Sequence, residues 1–228
     1  MELMTMPDYP HLDCTTTRRR EQICREYDVT VNACIYLYGG RTVRSDANNR
    51  LICDKFYRFF CVKHADQTQK YIIECGGGAA RHLCSLINQP IPCGYNPFIE
   101  ESITNIGDND NEITNMEDKE GNDDINSVVW NEERRLLYRT VQLFIVRYQS
   151  VLYSRASIFE ISKSLEARRN LAPQDFHYRN FSAFVTKFHT TIPIVIEQLE
   201  KYGSLHAIDL EPLAQRIDEI PGVENIFR

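Results

Sequence analysis

The chain has 228 residues and a formal net charge of −6, from 26 basic and 32 acidic residues. This balance excludes the strongly basic composition of a general nucleic-acid binder, and no run approaches the roughly 18 apolar residues of a transmembrane helix. All eight cysteines lie between Cys14 and Cys93. The length allows two domains of about 100 residues each, and the cysteine distribution indicates that they differ in chemistry.

Charge divides the chain into three segments. Basic residues number 12 against 10 acidic ones over 1–98, 1 against 10 over 99–127, and 13 against 12 over 128–228. The middle segment has no aromatic residue and cannot bury enough apolar surface to offset the entropy of ordering it. We therefore predict a cysteine-containing module, an acidic disordered linker and a helical module. An alternative for the linker is an acidic tail that docks on a basic partner.

The first module has the pattern of a small sheet between two short helices. The polar run Arg18 to Tyr27 predicts the first helix. Residues of β-branched and aromatic types predict strands at Val29 to Tyr38, Leu51 to Val62 and Tyr71 to Cys75. Ala79 to Ile87 predicts the second helix. The module is therefore predicted to be α+β.

After the linker the apolar residues recur at the helical period of 3.6. Trp130 to Arg155 predicts a long amphipathic helix. Ser157 with Glu160 has the spacing of a capping box and opens a second helix. Pro173 suits the first turn of a third helix. Ile192 to Tyr202 predicts a fourth.

The end of the chain predicts a short fifth helix, Glu211 to Ile217, and a strand-like segment, Val223 to Phe227. The carboxy-terminal module is thus all-helical or winged-helix-like, and the whole chain is of the α+β class. The spacing of helices over roughly Leu136 to Leu210 is similar to that of the LOTUS family of winged-helix adaptors. No diagnostic motif accompanies this spacing, so no functional residue is assigned from it.

The cysteines suggest a structural zinc site as one possibility. Cys61 and His64 are three residues apart, a spacing that can place both on one ion, but no second short-spaced pair accompanies them. The candidate ligands are Cys53, Cys61, His64, Cys75 and Cys84. The alternative is that several cysteines are buried thiols, as free cysteine often is.

The compartment follows from the first twenty residues, which lack the apolar core of a secretory signal. We expect an intracellular protein, cytoplasmic or nuclear, whose cysteines are thiols or metal ligands. In a secreted form all eight would pair instead. The glycine run Gly76 to Gly78 lacks the spacing of a phosphate-binding loop and is interpreted as a turn.

One compact group of basic residues occurs in the helical module. Its members are Arg168, Arg169, Arg179 and Lys187. They are candidates for contacts to nucleic-acid phosphates or to a partner protein. The alternative is that they are ordinary surface charges, because the module is nearly neutral.

These features predict a non-enzymatic interaction or adaptor protein. It would bind a protein partner, or itself, through the aromatic-rich helical module and a sheet edge in the first module. The alternative is a nucleic-acid-binding regulator with a structural zinc site and a winged-helix-like domain. No constellation of acid, base and nucleophile emerges, and the sequence predicts no membrane contact and no small-molecule substrate.

Overall fold

The computed structural model describes residues 9–98, 129–149, 152 and 157–228. The linker predicted at 99–127 lies outside this part of the chain. Helices and a small antiparallel sheet occur together, so the fold is of the mixed α+β class. In chain order the elements are α1 Thr17–Glu26, β1 Tyr27–Tyr36, β2 Val43–Arg44, β3 Leu51–Ile52, β4 Lys55–Lys63, β5 Asp66–Cys75, α2 Gly77–Leu86, α3 Glu132–Tyr148, α4 Ser157–Ala167, α5 Asp175–Val185, α6 Ile192–Glu200 and α7 Glu211–Asp218.

The main sheet has the strand order β1-β4-β5, with both pairs antiparallel. Its register places Cys34 of β1 and Cys75 of β5 on either side of Tyr57 in β4. A register shift between Val31 and Ala33 marks a β-bulge in β1. The short strands β2 and β3 form a separate two-stranded arm that follows the turn after β1.

Helices α1 and α2 cover one face of the main sheet. They contribute Ile23, Ala80, Leu83 and Cys84 to a buried cluster. The strands supply the alternate residues that point to this face, since side chains along a strand alternate between faces. These are Tyr27, Val29, Val31, Cys34, Tyr57, Phe59, Cys61, Ile73 and Cys75.

The opposite face of the sheet is divided between two coverings. At one end Ala33, Ile35 and Phe56 belong to the same core as the helices α3 to α7. At the other end Phe60, Val62 and Ile72 form a small cluster under Tyr9. The molecule is thus layered as helices, sheet and helices, and the sheet contributes to both cores.

Helix α3 is central to the carboxy-terminal half. Asn131 caps it by accepting a hydrogen bond from the Arg134 amide. The ring of Phe144 lies between 5.2 and 6.3 Å from those of Phe181, Phe184 and Phe188. Offset and edge-on contacts of this kind are favoured by aromatic rings. No helix in the described ranges is long and apolar enough to cross a membrane.

The end of the chain differs from the prediction. Val223 to Phe227 is not a strand, and residues 129–149, 152 and 157–228 contain none. Ile226 and Phe227 are instead buried against the helices, and the Ile192 amide donates to the Ile226 carbonyl. The apolar pattern correctly predicted that the end of this segment is buried. A strand, however, also needs a partner strand within reach.

Two helix starts also differ in detail. Helix α5 begins at Asp175 rather than at Pro173, because Gln174 caps it together with His177. Ser157 is the first residue of α4, and Glu160 in its first turn pairs with Lys163 at 3.7 Å. The predicted end of the long helix, beyond Tyr148, falls largely outside the described residues.

Candidate functional site

An open cleft lies on the face of the sheet opposite α1 and α2, and we name it the sheet cleft. Its inner part has a volume of about 550 Å³ and an adjoining outer part about 700 Å³. Both parts are lined by His11, Thr42, Val43 and Glu74. The inner part is further lined by Leu37, Gly40, Arg41, Phe56, Arg58, Ile72 and Gln149.

A buried ion pair forms the floor of the sheet cleft. Arg58 of β4 and Glu74 of β5 are cross-strand neighbours, and each is less than a tenth exposed. Nε and Nη2 of Arg58 donate to Oε1 of Glu74 at 2.7 and 2.5 Å. Nη1 donates to the carbonyls of Gln149 and Leu152, both at 2.8 Å. These carbonyls follow the carboxyl end of α3, where the helix dipole favours a cation.

A second charged pair stands at the rim. Nδ1 of His11 lies 2.9 Å from Oδ2 of Asp46, which also accepts the Glu74 amide at 2.6 Å. The hydrogen bond to Asp46 raises the pKa of His11. The backbone around His11 bridges to β5, because the Leu12 amide donates to the Ile72 carbonyl at 3.0 Å. The amino-terminal segment thus covers part of the β5 edge.

The other edge of the sheet is β1. Within the described part of the chain, the backbone of β1 pairs with β4 and with no further strand. The predicted sheet edge therefore corresponds to β1, and its use by a partner stays a prediction.

One buried polar atom near the ion pair has no hydrogen-bond partner among the residues that the structure describes. The Gln149 residue is 4% exposed, and its Nε2 has no hydrogen-bond partner in the described part of the chain. The hydrogen bonds that reach the Glu74 carboxylate from described residues go to Oε1, and none goes to Oε2. Buried polar groups are almost always paired, so the Gln149 amide nitrogen is an exception among the described residues.

All eight cysteines are free thiols in the structure. Burial raises the pKa of Cys34 to about 12 and those of Cys84 and Cys93 to about 11. A hydrogen bond with Cys14 and burial hold the pKa of Cys75 well above its usual value. Thiolates are the reactive and metal-binding form, and the raised pKa values favour the thiol form in all four. Cys34, Cys75 and Cys84 belong to an apolar cluster, whereas Cys93 is half-buried and accepts a hydrogen bond from Arg169.

The predicted zinc ligands are divided by the fold. Cys61, Cys75 and Cys84 belong to the cluster beneath α1 and α2. Cys53 and His64 flank opposite ends of β4, whose nine residues span roughly 30 Å, so one ion cannot take both. In residues 9–98, 129–149, 152 and 157–228 no three metal-binding side chains converge. The zinc site stays a prediction that this arrangement does not support.

The predicted basic group is spread over three elements. Arg169 stacks 5.3 Å from the ring of Trp130 and pairs with Glu166 at 3.1 Å. Arg179 donates to the Pro221 carbonyl at 3.0 Å. Arg168 follows α4, and Lys187 lies in a short 3₁₀ turn, Thr186–Phe188. Both of these side chains are exposed.

Arg168 and Arg169 border an apolar surface that we name the helix corner. It lies where α3 begins, α4 ends and α5 begins. Three of its side chains are exposed, Val129 by 80%, Leu171 by 50% and Phe176 by 44%. The helix corner comprises Val129, Trp130, Arg168, Arg169, Leu171 and Phe176.

Arg134, which sequence analysis did not single out, holds the helix corner together. Its guanidinium is almost fully buried and donates to the carbonyls of Leu171 and Ala172 at 2.5 and 3.0 Å. It also reaches the Ser164 and Leu165 carbonyls at 3.0 and 3.1 Å. Arginine on an amphipathic helix is usually exposed, so no sequence feature pointed to this role.

His177 is buried and lies beside the Ser164 hydroxyl, but the geometry argues against Ser164 as a nucleophile. Nδ1 lies 3.0 Å from the Gln174 amide and 3.2 Å from its carbonyl. The capping box uses Nδ1 as an acceptor, which leaves the ring proton on Nε2, 3.0 Å from Ser164 Oγ. In this tautomer the ring donates to Ser164 and cannot take its proton.

No protein-family model, curated protein or solved structure matches this chain. Function is therefore inferred from geometry.

Proposed function

We propose that the chain is a non-enzymatic interaction protein that binds a partner protein through the helix corner. The observation that carries the proposal is the exposure of Val129, Leu171 and Phe176 beside Arg168 and Arg169. Single exposed apolar residues are common on monomers, whereas a group of them is typical of a binding surface. Aromatic and arginine side chains are enriched at the centres of such surfaces.

The helix corner is pre-organised for binding. Arg134 fixes the connection between α4 and α5 through four carbonyl groups. The Asn131 amide adds a bond to the Arg169 carbonyl at 2.8 Å, which joins the start of α3 to the same connection. A surface that is already ordered loses less conformational entropy when a partner docks.

The charges of the helix corner indicate the chemistry of the partner. Arg169 is neutralised by Glu166. Arg168 is exposed and forms no ion pair with any described residue. A partner surface that carries an apolar side chain next to a carboxylate fits this arrangement. The proposal keeps the organisation into a cysteine-containing module, an acidic linker and a helical module that carries the contact.

Site-specific photocrosslinking tests the proposal. A benzophenone amino acid placed at Leu171 should yield discrete crosslinked protein species in cells, either with another protein or with a second copy. The same amino acid at Leu51, which is 57% exposed on β3, is the matched control. The charge reversal Arg168→Glu should reduce the Leu171 crosslinks severalfold. Equal crosslinking from both positions, or none, would contradict the proposal.

The same experiment separates the nucleic-acid alternative. Phosphate contacts release counterions, so binding to nucleic acid weakens steeply with salt. Crosslinks from Leu171 to nucleic acid that vanish as salt rises would replace the protein partner with a nucleic acid. Protein crosslinks that persist at raised salt support the contact proposed here.

A further inference from the structure

We propose that residues 9–13, which we name the strap, are a pH-sensitive closure over the edge of β5, held by the ion pair between His11 and Asp46. The proposal does not rest on the helix corner, which involves other residues.

The strap is attached to β5 by one isolated bridge. The Leu12 amide donates to the Ile72 carbonyl at 3.0 Å, and the Ile72 amide donates to the Pro10 carbonyl at 3.1 Å. His11 and Ile72 are the bridged pair, in parallel orientation. Strands β4 and β5, by contrast, pair along most of their length. A segment held by so few backbone hydrogen bonds can open without unfolding the sheet.

The strap has one fixed end. Cys14, which follows it, is fully buried in the cluster beneath α1 and α2, and its amide donates to the Asp46 carbonyl at 3.1 Å. Within the strap, Pro10, His11 and Asp13 are exposed. The strap can therefore move about Cys14 while the sheet stays intact.

The ion pair holds the middle of the strap to a fixed carboxylate. Nδ1 of His11 lies 3.1 and 2.9 Å from Oδ1 and Oδ2 of Asp46. Asp46 is itself positioned by Glu74, whose amide donates to Oδ2 at 2.6 Å and whose carbonyl accepts the Asp46 amide at 2.8 Å. A positive charge on the donor strengthens a hydrogen bond to a carboxylate. Loss of the His11 proton therefore weakens the hold without removing it, since a neutral ring can still donate from Nδ1.

The charges around His11 favour its protonated form. Asp46, in the turn after β2, and Glu74 of β5 are carboxylates, and Arg58 of β4 is the opposing cation. The hydrogen bond to Asp46 is the largest influence and raises the pKa of His11 above its usual value of 6.5, against the effect of burial. Glu74 compensates Arg58 directly. The other charged residues that line the sheet cleft are Asp13, Arg41 and Arg44.

The raised pKa gives the direction of the switch. A group whose folded pKa is raised contributes stability that is complete below its unfolded pKa and is lost as the pH rises through the folded pKa. The strap should therefore be held most firmly below about pH 6.5 and should loosen as the pH rises above that value.

Opening the strap uncovers both backbone groups and apolar side chains of the sheet. The ring of Tyr9 lies 5.6 Å from that of Phe60 and covers the cluster of Phe60, Val62 and Ile72. The Ile72 amide and carbonyl lose their partners as well. An edge with free backbone groups can pair with another extended segment. The closed strap thus shields this part of β5 from such pairing.

Exchange of backbone amides with water, measured by NMR between about pH 6 and about pH 8.5, tests the proposal on the wild-type protein. Exchange rates are expressed as protection factors, which removes the base catalysis common to all amides. Protection of the Leu12 and Ile72 amides should fall severalfold as the pH rises, with the same midpoint as the ring signals of His11. The amides that join β1 to β4 should keep their protection. Protection of Leu12 and Ile72 that does not change, or that changes with another midpoint, overturns the proposal.

Two matched variants assign the effect to His11. His11→Asn keeps a side-chain N–H donor for Asp46 but cannot titrate, so protection of the Leu12 and Ile72 amides should become independent of pH. His64→Asn is the control, because His64 is also exposed but lies in the turn between β4 and β5. It should keep the wild-type response. A His11→Asn protein that still responds to pH, or a His64→Asn protein that no longer does, would contradict the assignment.

Discussion

Arg58 joins the sheet to the segment that follows α3, because it binds the carbonyls of Gln149 and Leu152. Its charge is buried and is compensated by Glu74 and by two carbonyls. Removing one partner of a buried pair leaves an uncompensated charge and costs about 3 to 5 kcal/mol. We therefore expect Glu74→Leu to lower the free energy of unfolding by about that amount in urea denaturation.

The double variant provides the control for this prediction. Arg58→Met combined with Glu74→Leu removes both charges, and such replacements are often close to neutral. The Gln149 and Leu152 carbonyls then lose the Arg58 donor. The double variant therefore keeps part of the loss in the free energy of unfolding. The double variant should be more stable than Glu74→Leu alone. If the losses in the free energy of unfolding for Arg58→Met and Glu74→Leu, measured separately, add up to that of the double variant, the two side chains are not coupled.

For Gln149 we expect a substitution to increase stability rather than to reduce it. Its side-chain amide nitrogen is buried and forms no hydrogen bond with the described residues. Burial of a polar group without a hydrogen bond is unfavourable. Gln149→Met keeps a similar volume and the backbone carbonyl that Arg58 uses. The free energy of unfolding should rise by about 1 kcal/mol, measured by urea denaturation. A clear loss of stability would mean that the amide already has a partner in solution.

At the residue scale, the sequence predicted what each side chain could do chemically. It did not predict the surroundings in which the fold places that side chain. Cys61 and Cys75 were predicted as metal ligands or buried thiols, and the structure places them in an apolar cluster. Gln149 and Arg134 gave no signal, because glutamine and arginine on a helix are normally exposed. Their roles depend on which neighbours the fold brings to them.

At the element scale, the sequence pattern predicted helices and strands correctly where residues close in sequence determine the structure. The predicted helix Arg18 to Tyr27 corresponds to α1, Thr17–Glu26, and the predicted strand Val29 to Tyr38 to β1, Tyr27–Tyr36. The prediction of a strand after Val223 failed, because pairing is decided by tertiary contacts. Strand β5 is longer than predicted because its polar first half pairs with β4.

The start of α5 leads to a prediction about pH. Burial, followed by the nearby Arg134 charge, lowers the pKa of His177 below its usual value of 6.5. A protonated ring cannot accept the Gln174 amide, so the neutral form stabilises the cap. Because the folded pKa is depressed, this stability is complete well above pH 6.5 and is lost as the pH falls through that range.

The comparison with His177→Gln isolates this effect. We expect the wild type to lose stability relative to the variant between about pH 7 and pH 5, measured by urea denaturation at each pH. His11, whose pKa is raised, works in the opposite direction and is present in both proteins. Parallel pH profiles for the two proteins would contradict the role assigned to His177.

At the scale of the whole molecule, the division into two modules fits the composition of the sequence. It fits the packing of the folded chain less well. Composition predicts a boundary between the two halves, and the linker segment lies outside the described residues. Ala33, Ile35 and Phe56 of the sheet nevertheless share a core with α3 to α7. Contacts between distant segments leave no periodic pattern in either one, so this shared core could not be predicted.

The shared core implies that the two halves unfold together. Phe56 is fully buried in it, and Phe59 is fully buried on the other face of the same strand, against α1 and α2. Each change to alanine should cost about 3 to 5 kcal/mol. With Phe56→Ala, we expect amide hydrogen exchange to accelerate in both β4 and α3, because the cavity lies between them.

Phe59→Ala is the matched control, since it removes the same side chain from the same strand on the face that α3 does not touch. If the halves form one cooperative unit, global unfolding governs exchange of the most protected amides, and both variants accelerate α3 and β4 equally there. If the halves open separately, Phe59→Ala accelerates β4 and leaves α3 protected. The shared core predicts the first pattern. The second would mean that the contact through Phe56 is too weak to couple the sheet to the helices.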